Sequence, residues 1–215
     1  MRFLLFALLP VAAMSAQQVV PVASEAKHHR VFENSHTRVY DVVVPAGDST
    51  LYHLHANDYV YITFGAASLE AQARGGAAAK LDLADGEVRF TKGPITHRVL
   101  NSSRTPFHNL TIELLKPAHV ALAPRAAGDS VLENDRVRVT RLVLEPGAPA
   151  VSQPHRGPWL AVVVYGNALG AASSNGALGR TAVAPGWYRW YEAGQGETIV
   201  NAGRSRLELV EIEWK

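Results

Sequence analysis

Beyond residue 17, the chain alternates between short apolar-rich segments and clusters of turn-forming residues. The apolar-rich segments, such as Arg38–Val44 and Tyr59–Phe64, contain many β-branched and aromatic side chains, which favour strands. The clusters between them, such as Pro45–Ser49, are made of residues that favour tight turns. No window in this part of the chain shows the 3.6-residue period of an amphipathic helix. The pattern therefore predicts an all-β protein built from many short strands.

This strand pattern occurs twice along the chain. The segment Val31–Gly47 aligns without a gap with Val131–Gly147, at an offset of 100 residues, and Asn101 aligns with Asn201 at the same offset. A single offset kept over so long a stretch indicates a duplicated domain. Each half has a size that suits a small antiparallel sandwich or barrel. The two tandem domains predicted from the repeat are residues 17–120 and 121–215.

The first 16 residues have a different character. Arg2 precedes an apolar run that ends in small residues, which is the layout of a secretory signal peptide. The run is about half as long as the ~20 residues that a membrane-spanning helix needs. An N-terminal core helix is the alternative interpretation. We expect cleavage after Ser15 or Ala16, no membrane anchor after cleavage, and a periplasmic or secreted location.

Composition narrows the function classes. A hydrophobic share of 47% is enough to build a core, and the absence of cysteine excludes disulfides, thiolate nucleophiles and cysteine-based metal sites. The 21 basic and 19 acidic residues give a formal charge of only +2. A charge balance as even as this does not predict a nucleic-acid partner. A small molecule is the expected partner. Edge strands and apolar outer faces make a homodimer plausible, and two tandem domains can also cover these surfaces within one chain.

Three histidines form a candidate metal site. His53 and His55 are two residues apart, so on a strand both rings leave the same face, and His97 lies on a later strand that two hairpins can bring back to them. Three neutral imidazoles in a barrel mouth are good ligands for Fe, Mn, Ni, Cu or Zn. Six other histidines are present, of which His155 lies in the second half of the chain. We expect His28, His29 and His36 at the surface and leave His108 and His119 unassigned.

The spacing of these histidines resembles the two sequence motifs of the cupins, and the repeat makes the whole chain resemble a bicupin. The residues that match the motifs are Gly47, His53, His55 and Gly65 in the first, and Gly86, His97 and Asn101 in the second. This resemblance implies two tandem jelly-roll barrels, with His53, His55 and His97 as the ligands of a divalent transition metal.

The sequence departs from the cupin motifs at two places. Tyr59 stands where most cupins have a metal-ligating glutamate, which makes the site resemble the three-histidine subset of the family. Asp58 is adjacent, but strand alternation directs it to the other face unless a bulge intervenes. Lys92 and Pro94 replace the usual proline and glycine of the second motif, so the shape of that turn is open.

The second half retains little of the triad. At the corresponding positions, Gln153 replaces His53, Glu197 replaces His97, and only His155 is kept. Trp159 and its alternate neighbours predict an apolar interior. We interpret this half as a degenerate domain kept for packing, and an apolar ligand pocket is the alternative.

Alternation also places Tyr59 and Tyr61 on the histidine side of their strand, whereas Val60, Ile62 and Phe64 face away, towards another sheet. Either tyrosine can serve as a hydrogen-bond donor or acid, or simply pack in the wall.

The sequence leaves three functions open. The first is a metal-dependent enzyme, oxygenase-like or lyase/isomerase-like, acting on a small anionic molecule. The second is a non-catalytic binding module. The third is a metal-free, epimerase-like cupin.

Overall fold

The computed structural model describes residues 18–124, 128–148, 151–152, 155–172, 178–195 and 198–215. The predicted signal peptide, Gln153 and Glu197 lie outside the described residues. Within these ranges the chain forms nineteen strands and a single turn of 3-10 helix at Val22–Ser24, which agrees with the predicted all-β class. None of the helical structure in the described ranges is long and apolar enough to cross a membrane.

The first half forms two facing sheets of five strands each. Its strands are β1 (Val19–Pro21), β2 (His28–Glu33), β3 (Thr37–Val44), β4 (Tyr52–His55), β5 (Tyr59–Phe64), β6 (Ala67–Ala73), β7 (Ala78–Leu83), β8 (Val88–Thr91), β9 (Ile95–Asn101) and β10 (Phe107–Leu114). One sheet has the order β1-β4-β9-β6-β7 and the other β2-β3-β10-β5-β8. Sequentially distant strands are neighbours in both sheets, as in a jelly roll.

The second half repeats this arrangement. Its strands are β11 (Asp129–Glu133), β12 (Val137–Leu144), β13 (Val151–Ser152), β14 (Trp159–Tyr165), β15 (Ala168–Ala172), β16 (Leu178–Ala182), β17 (Tyr188–Tyr191), β18 (Thr198–Asn201) and β19 (Leu207–Trp214). They form one sheet in the order β11-β12-β19-β14-β17 and another in the order β13-β18-β15-β16.

The offset of 100 residues is visible in the strand pairing itself. Val44 pairs with Phe107 in the β3–β10 ladder, and Leu144 pairs with Leu207 in the β12–β19 ladder. The Asn101 side-chain amide donates to the carbonyl oxygens of Val44 and Thr105, and Asn201 makes the equivalent bonds to Leu144 and Ser205. The repeated asparagine therefore ties the same turn to the same strand in each half. The residue at which the two domains divide stays a prediction.

The two halves pack through the outer faces of their five-stranded sheets β2-β3-β10-β5-β8 and β11-β12-β19-β14-β17. Val60, Ile62 and Phe64 belong to the same buried cluster as Val139 and Leu160 of the second half. The prediction that these three side chains face another sheet is confirmed. Burial of each such side chain contributes about 1.5–3 kcal/mol, so this shared core is a major stabilising element.

A polar contact at the edge of this interface fixes Asp58. Its carboxylate accepts from the Arg136 guanidinium of the second half at 3.0 Å and from the Gly93 backbone N–H at 2.8 Å. Asp58 therefore points towards the second half, as strand alternation predicts, and Tyr59 takes the inner face. This contact also anchors the loop that leads into β9.

Candidate metal centre

The structure brings the three predicted histidines together. His53 and His55 lie on β4, and His97 lies directly opposite His53 in the antiparallel pairing of β4 with β9. The ring centroids of His53 and His97 are 4.6 Å apart, those of His53 and His55 are 4.9 Å apart, and those of His55 and His97 are 5.3 Å apart. Because the ladder fixes the backbone of all three residues, their rings converge without help from a mobile loop.

The hydrogen bonding of these rings fits a metal ion. His53 Nδ1 donates to the carbonyl oxygen of Leu51 at 2.9 Å, which leaves the lone pair on Nε2. The His53 Nε2, His55 Nδ1 and His97 Nε2 atoms are buried and have no hydrogen-bond partner among the described residues. A buried polar atom without a partner typically costs about 1–3 kcal/mol, and a metal bound by these three nitrogens would remove that cost from each.

Burial keeps these imidazoles neutral, which is the form that binds a metal. Burial lowers the pKa of His53 to about 3, that of His55 to about 2 and that of His97 to about 4, and the neighbouring imidazoles add to the effect on each of them. All three rings are therefore neutral at physiological pH. A neutral ring offers a lone pair to a metal, whereas a protonated ring does not.

A fourth histidine lies beside this triad. His28, on β2, is buried, and its ring centroid is 4.6 Å from that of His53 and 5.8 Å from that of His55. One ligand nitrogen from each of His28, His53 and His55 lies within 4.8 Å of the others. The expectation that His28 is a surface residue is wrong, because its pairing with Val42 on β3 places it on the inner face. His29 is exposed, as expected.

A buried carboxylate holds His28. Glu25 Oε2 lies 2.7 Å from His28 Nδ1, and the side chain also accepts from the backbone N–H groups of Lys27 at 2.9 Å and Leu51 at 3.2 Å. Burial alone would raise the pKa of Glu25, but the hydrogen bonds from His28 and from the backbone outweigh it and lower the pKa to about 2. The side chain is therefore a carboxylate. Sequence reasoning missed both residues, since they precede the first motif and the repeat places Gly128 at the position of His28.

The two predicted tyrosines have different surroundings. The Tyr59 ring is buried and stacks on His55 at 4.3 Å between centroids, and its hydroxyl bonds to the Thr91 side chain. Burial raises the pKa of Tyr59 to about 12. Tyr61 is partly exposed, and its hydroxyl interacts with Arg89 on the neighbouring strand β8. Burial also raises the pKa of Tyr61, so both hydroxyls keep their protons.

The histidines open into a cavity of about 310 Å³ inside the first barrel. All four imidazoles, Tyr59 and Tyr61 border it, and much of the remaining wall is apolar, including Val42, Val44, Leu69, Val99 and Phe107. Arg89 also lines the cavity, with its Nε donating to Glu87 at 2.6 Å. The cavity thus combines a cluster of metal-ligand side chains, apolar walls and a guanidinium group.

The interior of the second half differs. Trp159 is stacked between His155 and Tyr191, with 3.9 Å between centroids on each side, and packs in a buried apolar cluster. This agrees with the predicted apolar interior. Two buried carboxylates were not anticipated: Glu213 and Glu211 lie 3.5 Å and 3.9 Å from the ring nitrogens of His155. The interpretation of this half as degenerate stays a prediction, because Gln153 and Glu197 are outside the described residues.

The remaining histidines lie apart from the cavity. His36 faces Trp190 of the second half, and His108 Nε2 is 2.7 Å from Asp41. His119 is exposed.

No protein-family model matches the sequence, and no curated protein matches it significantly. Solved structures do match the fold. AerE from Microcystis aeruginosa aligns over 89% of this chain and 98% of its own, with a TM-score of 0.59 and 8% identity.

Two further solved structures also match the fold over most of the chain. Oxalate decarboxylase from Lactobacillus farciminis aligns over 86% of this chain and 83% of its own, with a TM-score of 0.57 and 12% identity. A cupin 2 conserved barrel domain protein from Leptotrichia buccalis aligns over 86% of this chain and 87% of its own, with a TM-score of 0.53 and 10% identity. Since these matches span both halves, the chain has the fold of the bicupins.

Proposed function

We propose that the first barrel binds a divalent transition metal and acts there on a small anionic organic molecule. The observation that carries this proposal is the convergence of three buried, unpartnered imidazole nitrogens, from His53, His55 and His97, at the wall of one cavity. Imidazole suits Fe, Mn, Ni, Cu and Zn, and the ligand set alone does not select among them. Among proteins with this fold, oxalate decarboxylase from Bacillus subtilis has Mn(II) centres.

Charge indicates the substrate class. A divalent ion held by neutral imidazoles keeps most of its positive charge, which favours anionic oxygen ligands such as a carboxylate, enolate or phenolate. Arg89 and the protonated Tyr61 provide further donors in the same cavity. The Lactobacillus farciminis enzyme was crystallised with formate, which is a small carboxylate. The apolar walls favour an anion that carries an apolar body.

The chain's own residues have separable roles in this scheme. The imidazoles of β4 and β9 hold the ion, which supplies Lewis-acid or redox chemistry when bound. The apolar wall excludes water from the bound molecule, and this strengthens the electrostatic interactions inside the cavity. Tyr61 is the candidate proton or hydrogen-bond donor, because it lies at the cavity wall and is less enclosed than Tyr59.

These features favour an enzyme, with an oxygenase-like or a lyase/isomerase-like reaction. A binding module that captures a small molecule without converting it is the alternative. A metal-free reaction has less support, because the His53 Nε2, His55 Nδ1 and His97 Nε2 atoms are buried without hydrogen-bond partners among the described residues, as suits metal ligands.

Elemental analysis of the purified protein tests the metal. We expect a transition metal in the wild type and in His29→Gln, whose side chain is exposed, and its loss in His53→Gln. A wild type that remains metal-free after incubation with Mn²⁺, Fe²⁺, Co²⁺, Ni²⁺, Cu²⁺ and Zn²⁺ would contradict the proposal. Oxygen uptake and product analysis with a panel of phenols and oxo-acids then separate an enzyme from a binding module.

We also propose that the protein works outside the cytoplasm, on the basis of the signal-peptide layout of residues 1–16. Expression of the full chain, fractionation and N-terminal sequencing test this. A mature N-terminus near Gln17 in the exported fraction supports export, and an intact Met1 in the cytoplasm contradicts it.

A further inference from the structure

We propose that His28 is a ligand of the same metal ion and that Glu25 is its positioning residue, so that the segment Val19–His28 completes the centre. This inference rests on the proposed function. It assigns a role to two buried residues that lie outside both histidine motifs. It also identifies Glu25 as a carboxylate that contributes negative charge to the centre, since the motif glutamate is replaced by Tyr59.

The distances place His28 within reach of the ion. Ligand nitrogens bind a metal such as zinc at about 2.1 Å, so two of them on one ion are at most about 4.2 Å apart. The ligand atoms of His28, His53 and His55 already lie within 4.8 Å of one another. These separations are close to that limit, so the three nitrogens are near enough to share one ion once their side chains adjust.

Glu25 selects which nitrogen of His28 is free to bind. The 2.7 Å contact with the Glu25 carboxylate makes His28 Nδ1 the donor, so Nε2 is the nitrogen that remains available to a metal. A carboxylate behind a metal-bound imidazole fixes the tautomer and orientation of the ring and makes it a better electron donor. The two backbone N–H groups that bond to Glu25, from Lys27 and Leu51, hold the carboxylate in place.

The negative charge of Glu25 gives the Glu25–His28 pair a second role. Three neutral imidazoles leave the double positive charge of the ion uncompensated in a buried site, which is unfavourable in a low-dielectric interior. The motif position that supplies a glutamate ligand in most cupins is occupied here by Tyr59, which keeps its proton. Glu25 brings one negative charge to the centre through His28, without binding the ion itself.

The same residues attach the N-terminal segment to the metal-bearing strand. β1 runs parallel to β4, with Val20 paired to His53, and Glu25 accepts from the backbone of Leu51 just before β4. If His28 binds the ion, docking of this segment and binding of the metal stabilise each other, because the linkage is reciprocal. Metal should therefore protect residues 19–28 from hydrogen exchange.

The experiment uses the mature chain and four variants: His28→Gln, Glu25→Gln, His53→Gln and the control His29→Gln. Each is stripped of metal, checked for folding by circular dichroism, and titrated with Co²⁺ against a chelator of known affinity. We expect Glu25→Gln to weaken Co²⁺ binding by about ten- to a hundredfold, the range found when the partner behind a metal ligand is removed. His28→Gln removes a ligand itself and should weaken Co²⁺ binding at least as much. The control should match the wild type.

A spectroscopic readout separates ligation from a merely structural role. In the Cu²⁺-loaded protein, nitrogen couplings in the electron paramagnetic resonance spectrum should indicate one fewer bound imidazole in His28→Gln. Glu25→Gln should keep the nitrogen count but shift the copper hyperfine coupling, because the imidazole becomes a weaker donor. For the wild type, hydrogen exchange of residues 19–28 should slow when Co²⁺ is added.

The outcomes are distinguishable. Unchanged Co²⁺ affinity and nitrogen count in His28→Gln, with loss of binding in His53→Gln, would overturn this inference and leave the proposed function intact. Failure of the wild type to bind any of the tested ions would overturn both. If His28→Gln does not fold, the Glu25→Gln spectrum and the exchange of residues 19–28 in the wild type decide the question.

Discussion

His53 and His97 face each other across the β4–β9 ladder, with 4.6 Å between their ring centroids and an unpartnered, buried Nε2 on each ring. Two imidazoles in this relationship carry an energetic cost in the metal-free protein that a bound ion removes. We therefore expect metal to stabilise the fold strongly. A ligand present at a hundred times its dissociation constant adds about 2.7 kcal/mol of stability. Thermal unfolding with and without each divalent ion measures this, and an unchanged melting temperature with all of them would contradict it.

Lowering the pH should destabilise the metal-free protein at pH values above those at which ordinary carboxylates become protonated. In the unfolded chain a histidine has a pKa near 6.5, whereas burial lowers the pKa of His53 to about 3 and that of His97 to about 4 in the folded chain. Between pH 6.5 and about 4 the unfolded chain therefore binds protons that the folded chain does not. The free energy of unfolding should be greatest above pH 6.5 and fall as the pH drops through this window.

Urea unfolding of the metal-free protein at pH 7.5, 6.0 and 5.0 measures this dependence. The slope against pH should be shallower in His53→Gln, which lacks one of the buried rings, and unchanged in His29→Gln. Equal slopes in the wild type and His53→Gln would show that burial of this imidazole does not disfavour its protonation.

Much of this site follows from local sequence pattern, and part of it does not. The alternation of β4 and the spacing to His97 place three imidazoles together, because a ladder fixes residues two apart on one face. Val60, Ile62 and Phe64 are placed by the same rule. His28 and Glu25 are different, since their position depends on β2 pairing with β3 and on Leu51 bonding to Glu25. Such long-range contacts leave no periodic trace in the sequence.

The two tyrosines should differ in what their hydroxyls contribute. Tyr59→Phe keeps the stacking on His55 and removes a buried hydrogen bond to Thr91, so we expect a loss of stability of about 1 kcal/mol and unchanged metal content. Tyr61→Phe removes the more accessible hydroxyl. If that hydroxyl acts as an acid, turnover should fall by about 10² or more. Urea unfolding and steady-state kinetics on the two variants measure the difference, and a larger kinetic loss in Tyr59→Phe would reverse this assignment.

The packing between the two halves should be essential for stability. Ile62 is fully buried in the shared core with Leu160, and truncation of such a side chain typically costs about 2–5 kcal/mol. Ile62→Ala should therefore lower the urea midpoint clearly. Val43→Ala, on strand β3 of the same sheet and with 38% of its surface exposed, is the matched control and should have little effect. Equal effects of the two substitutions would show that the halves do not stabilise each other through this face.

The number of metal ions bound per chain tests whether only the first barrel is a metal site. The first barrel has four clustered imidazoles, whereas the interior of the second has His155 stacked against Trp159 and flanked by Glu211 and Glu213. Among the described residues of the second half, no three ligand atoms lie close enough together to hold an ion, so we expect close to one metal per chain. Elemental analysis of the saturated wild type and of His155→Gln should give the same ratio. A ratio near two that falls to one in His155→Gln would show that the second barrel is a metal site in its own right.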